Sequence, residues 1–117
     1  MKINITILIA AYLSSYASNA SVFTSTFTKS EGFGDWSVIR LCNEEKEFKD
    51  LASYHNAQDE NAAISGLGHR KKNENTRYLN GYGTESYTYV YSSKEQCLSK
   101  LRKDCSKFNI KDKDCGV

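Results

Sequence analysis

Glu85-Ser86-Tyr87-Thr88-Tyr89-Val90-Tyr91-Ser92-Ser93-Lys94-Glu95-Gln96-Cys97 is the stretch that decides the fold. Tyrosines fall at every second position, Thr88 and Val90 fill the alternate ones, and the serine pair ends the alternation. A period of two makes a strand whose ring face and Thr/Val face look opposite ways. Ser92 or Ser93 then caps a helix, with Glu95 or Gln96 three residues on completing a capping box. In that helix, predicted over 94–108, Cys97, Leu98, Leu101, Cys105 and Phe108 lie near one stripe. A strand that runs directly into an amphipathic helix implies a helix packed on a sheet.

Upstream of the tyrosines, Asn80-Gly81 is a hairpin signal, and Thr76–Leu79 and Ala62–Arg70 read as further strands separated by the polar bend Lys71–Asn75. The segment 44–56 is ambiguous. Phe48, Leu51, Ala52 and His55 fall at helical spacing, Asn43 is a good N-cap, and Glu44, Glu45 and Glu47 suit a first turn, so a helix is predicted. The competing reading is a strand ending at Tyr54. Asp35–Cys42 alternates as a strand, with Trp36, Val38, Arg40 and Cys42 on one face and Ser37, Ile39 and Leu41 on the other. Apolar groups on both faces predict a central position. Residues 21–34, rich in Ser and Thr and ending at Gly32 and Gly34, read as a flexible leader or an edge strand.

The first 20 residues combine Lys2, an apolar centre from Ile3 to Leu13, and Ser18-Asn19-Ala20 in a small-x-small pattern. This is the form of a cleaved secretion signal, with cleavage after Ala20 or, alternatively, after Ala17. The apolar centre is shorter than the roughly 20 residues of a membrane span. The expected product is a single exported domain over residues 35–117, behind the 21–34 segment, periplasmic or extracellular, with no membrane span. Of the 16 basic and 14 acidic residues only Lys2 lies in the signal, so the remainder is nearly neutral. A near-neutral chain lacks the single-sign field of dedicated nucleic-acid binders.

Four cysteines, Cys42, Cys97, Cys105 and Cys115, in a small exported chain read as a disulfide framework. Cys97 and Cys105 sit eight residues apart on the predicted helix, about 12 Å along its axis, too far for a bond. Two pairings remain: Cys42–Cys97 with Cys105–Cys115, or Cys42–Cys105 with Cys97–Cys115. The first is favoured because the return from Cys105 to Cys115 is short. The fold class is therefore α+β: a small antiparallel sheet of about four strands with a C-terminal helix on one face, braced by disulfides.

Function is less legible. The tyrosines Tyr87, Tyr89 and Tyr91 form either an aromatic ladder over the core or an open face that docks a partner protein or stacks a sugar, which Tyr78 and Tyr82 would enlarge. Arg70 and Arg77 flank a basic stretch read as a loop; it is either solvated or recognises an acidic partner surface or a phosphate. His55 and His69, with Arg70, could serve a small secreted hydrolase or ribonuclease as base, acid and charge stabiliser, although neither lies in a catalytic signature. A metal site of His55, Asp59 and His69 is weaker still, and no cofactor or metal is expected. The leading expectation is a protein-binding protein such as an inhibitor or immunity protein against a toxin or cell-wall enzyme. The alternatives are the hydrolase and a virulence effector or adhesin component.

Overall fold

The computed structural model describes residues 21–30, 32 and 34–117; the expected signal segment lies outside the described residues. Strand β5, Thr84–Tyr91, carries the tyrosines and sits at the centre of a five-stranded sheet. Its neighbours are β1, Val22–Ser30, and β4, Thr76–Gly81. Strand β2, Ser37–Glu45, and strand β3, Gly68–Asn73, form the two edges in the order β2-β1-β5-β4-β3. All four pairings are antiparallel.

Two sequence expectations change places here. Residues 22–30 are an inner strand rather than a leader or edge, whereas 37–45 form an edge rather than the centre. The cause is a long-range pairing: Phe23 to Ser30 match Tyr91 to Thr84, along all of β5 and all of β1 but its first residue. Ser and Thr on β1 suit this place because they find partners, as when the Thr26 and Thr88 hydroxyls meet at 3.1 Å. The basic stretch from 68 to 73 is likewise a strand, not a loop.

Phe23, Phe27, Tyr87, Tyr89 and Tyr91 share one face of the sheet, and helix α2, Lys94–Lys107, covers it. Ser93 caps α2 by accepting from the Gln96 amide, and Cys97, Leu101, Asp104 and Cys105 point inward. Phe27 is fully buried, stacked on Phe108 at 4.7 Å and edge-on to Tyr89 at 5.9 Å. Truncating such a ring to alanine costs about 3–5 kcal/mol. Disulfides join Cys42 to Cys97 and Cys105 to Cys115, so the edge strand is tied to the start of α2 and the C-terminal tail to its end.

Strand β2 does not keep a simple alternation. Cys42 has φ of 49° and the β1–β2 register slips on either side of Thr26. These bulges bring Leu41 and Cys42 together on the α2 side with Val38 and Trp36, and send Arg40 to the other side, where it pairs with Glu45 at 3.5 Å. The predicted face of Trp36, Val38 and Cys42 therefore survives, with Leu41 in place of Arg40.

Helix α1, Leu51–Ser65, lies over the opposite face. The predicted helix over 44–56 is displaced because residues 43–45 continue β2 against Val22–Thr24. Asp50, not Asn43, is the N-cap, in a reciprocal capping box with Ser53, and Gly66 at φ 69° closes the other end. Only a small apolar cluster anchors it: Tyr54 packs on Val22 and Val90, flanked by Phe48 and Leu51. No helix among the described residues is long and apolar enough to cross a membrane.

Candidate partner-binding face

Helix α2 packs over β1, β2 and part of β5, and the sheet continues past its flank through β4 to β3. The ring face of β5 therefore divides. Tyr89 and Tyr91 are 6 % and 5 % exposed beneath α2, so they belong to the core and not to an open face. Tyr87, nearer the start of the strand, is half-buried at the end of α2. Its ring lies 5.5 Å from Phe108, 5.6 Å from Trp36 and 4.9 Å from Tyr78, its partner across the β4–β5 ladder. Trp36, Tyr87 and Tyr78 thus make a stripe of half-buried rings that starts at the core and ends beside the solvent-exposed edge strand.

Cations line this stripe. Lys29 sits over Trp36 at 5.3 Å and Lys72 over Tyr78 at 5.2 Å. Arg70 is cross-strand from Tyr78 on β3, exposed, and close enough to Tyr87 to oppose the rise that burial causes in its hydroxyl pKa. Alternation in β3 places Arg70 and Lys72 on this face and His69 and Lys71 on the other. Glu85 is the acidic counterpart: it accepts from the Tyr78 hydroxyl at 3.2 Å, while the Asn80 amide donates to that hydroxyl at 3.1 Å. With both roles of its hydroxyl used, the Tyr78 ring is held in place. Beyond Trp36 the face runs into an open groove of about 370 Å³ lined by Val38, Ile110, Lys111, Lys113 and Asp114.

The remaining residues singled out from sequence lie elsewhere. Tyr82 is in the β4–β5 turn at φ 54°, with its ring exposed and its hydroxyl donating to the Ser65 carbonyl of α1. Arg77 faces α1, is 7 % exposed, and donates to the Asn73 and Thr76 carbonyls at 3.2 and 3.3 Å. It is therefore no free contact for an acidic partner. Arg77 Nε is 3.6 Å and His69 Nε2 3.2 Å from Asp59 Oδ1, so Asp59 on α1 gathers both. His55, one turn before Asp59, is buried, and among the described residues neither of its ring nitrogens has a hydrogen-bond partner. Burial and then the nearby Arg77 charge push its pKa down.

Two histidines, an arginine and a carboxylate thus do meet under α1, though Arg70, the residue expected to join them, faces the opposite side of the sheet. A catalytic base must reach substrate, and α1 closes His55 off from solvent. No group of three His, Cys, Asp or Glu among the described residues is placed to hold a metal ion.

Sequence reasoning missed Trp36, Lys29 and Lys72 as members of one face with Tyr87 and Arg70. The signal was there for the last: a strand reading of Gly68–Asn73 would have put Arg70 and Lys72 on one side. No family model, curated protein or solved structure matches the chain.

Proposed function

We propose that the chain is a small exported binding protein, working in the periplasm or outside the cell, that docks an acidic surface of a partner protein on the face built from Trp36, Tyr87 and Tyr78. An inhibitor or immunity protein against a toxin or cell-wall enzyme is the role that fits such a surface. One observation carries this reading: a stripe of half-buried rings, flanked by Lys29, Arg70 and Lys72, emerges from beside α2 at an exposed edge of the sheet. Rings held by the core lose little freedom on binding, and aromatic and arginine side chains carry much of the energy in protein interfaces. The cations add recognition of an acidic surface and speed encounter with it. The disulfides suit an exported scaffold that presents a rigid surface without a deep pocket.

The test uses the oxidised protein as bait for envelope and medium proteins, beside an Arg70→Glu/Lys72→Glu variant and a Tyr78→Ala variant. A partner identified with the parent protein should be lost by the double variant and bound about 30-fold more weakly by Tyr78→Ala, the size of a typical aromatic hot spot. Replacing His55 and His69 by alanine should leave capture unchanged in protein that remains folded. Loss of a nuclease or hydrolase activity in those histidine variants would favour the enzymatic reading instead.

A further inference from the structure

The cavity at the start of β1 belongs to neither the docking face nor the histidine cluster. It has a volume of about 750 Å³, and both helices begin at its rim. Glu44, Asp50 and Glu95 line it together with Lys49 and Lys94, which leaves an excess of one negative charge. Asp50 is engaged in the cap, its carboxylate accepting from the Ser53 amide at 2.8 Å. Glu44 is placed differently. Its Oε2 accepts from the Ser21 hydroxyl at 2.9 Å, and no cationic side chain among the described residues pairs with it. Ser21 directly precedes Val22, which is fully buried and paired with Glu45, so the sheet fixes where Ser21 stands.

We propose that Ser21 is the amino-terminal residue of the working protein and that its α-ammonium group occupies this cavity as the ion-pair partner of Glu44. The sequence supplies the means: Ser18-Asn19-Ala20 ends in the small residues a signal peptidase accepts. In the hydrolysis, the oxygen of one water joins the Ala20 carbonyl carbon and the bond to the Ser21 nitrogen breaks. Both water protons end on that nitrogen, giving a carboxylate on the leaving segment and an ammonium on Ser21. Cleavage during export precedes the folding that encloses this position. The alternative cut after Ala17 would put the ammonium three residues away and leave Glu44 without a cation. The inference rests on the export reading but is independent of the docking face.

The full chain, expressed in a secreting host, tests it in two steps. Intact-mass analysis of the exported product should place the amino terminus at Ser21; a terminus at Ser18 overturns the proposal. Glu44→Gln keeps an oxygen for the Ser21 hydroxyl and removes the charge. It should lower Tm by about 4 °C at pH 6.5 and by much less at pH 9.5, where an α-amine of ordinary pKa about 7.7–8.0 has lost most of its proton. A loss equal at both pH values would assign Glu44 a purely structural role and refute the ion pair. Should the variant fail to fold, NMR titration of the Ser21 amine in the parent protein decides. A pKa raised above the ordinary range supports the pair, and an ordinary value overturns it.

Discussion

Tyr91 and Asp104 meet in the space beneath α2, where the phenol donates to Asp104 Oδ2. Asp104 is 3 % exposed, and burial pushes its pKa up, against the pull of the Tyr91 hydrogen bond and of Lys107, Lys100 and Lys103. Tyr91→Phe removes the hydrogen bond and leaves the carboxylate in place, so it should cost about 1–3 kcal/mol at pH 7, read from urea midpoints. The pH dependence has a definite sign. An acid whose folded pKa lies above its unfolded value binds more protons when folded, so stability rises as pH falls through that raised pKa toward 3.8. Tyr91→Phe raises the folded pKa further and should therefore recover part of its deficit as pH falls from 7 through that raised pKa toward 3.8. A deficit that is constant over that range would show that Asp104 is not the group strained by the loss. The alternation that puts Tyr91 on one side with Tyr87 and Tyr89 is legible in the sequence. Which of the three stays at the surface is not, because the lateral reach of α2 decides it.

At the scale of elements the two helices are held in different ways. Helix α2 sits on an aromatic core and carries both disulfides, whereas α1 lies on a face of threonines, Val22, Val90 and Arg77 with Tyr54 as its main apolar anchor. The groups that face His55 are Asp59 on its own helix, Arg77 on β4, Lys71 on β3 and Glu74 in the turn between them. A histidine whose folded pKa is below its unfolded value near 6.5 binds fewer protons when folded, so stability falls as pH drops through 6.5 toward the folded pKa. Hydrogen exchange should therefore quicken in α1 on going from pH 7.5 to pH 5, after correction for intrinsic rates, while α2 stays protected. His55→Leu should remove most of this difference. The sequence shows why α2 was readable and α1 was not. Ser93, Gln96 and the Cys97–Phe108 stripe agree with one another, so local and tertiary signals coincide. Around Asn43 they conflict: a good cap and three glutamates favour a helix, but pairing of Asn43–Glu45 with Val22–Thr24 extends the strand and moves the start of α1 to Leu51. The inner place of β1 was hidden for a related reason, since it depends on partners some 60 residues away.

For the molecule as a whole, the two disulfides divide the labour between stability and surface. Cys42–Cys97 closes a 55-residue separation and Cys105–Cys115 one of 10. In the chain-entropy model these contribute about 4 and about 3 kcal/mol respectively, a large share for a domain of this size. Their positions differ more than their energies. Both bridges are buried in one cluster with Phe27, Tyr89 and Leu101, and Cys42–Cys97 joins an edge strand to the beginning of α2. Cys105–Cys115 instead holds the tail whose Ile110, Lys111, Lys113 and Asp114 wall the groove beside Trp36, next to the Phe108 ring that backs Tyr87. Paired Cys→Ala replacement of Cys42 and Cys97 should accordingly give the larger drop in urea midpoint. The Cys105/Cys115 double variant should remain folded at 25 °C yet lose more of its partner binding than its stability loss accounts for. Tryptophan emission reports the intermediate event, because a released tail wets Trp36 and shifts its emission to longer wavelength. If that variant binds a captured partner as the parent protein does, with unchanged emission, the groove beyond Trp36 is no part of the proposed docking face, which then ends at the Tyr87–Tyr78 pair.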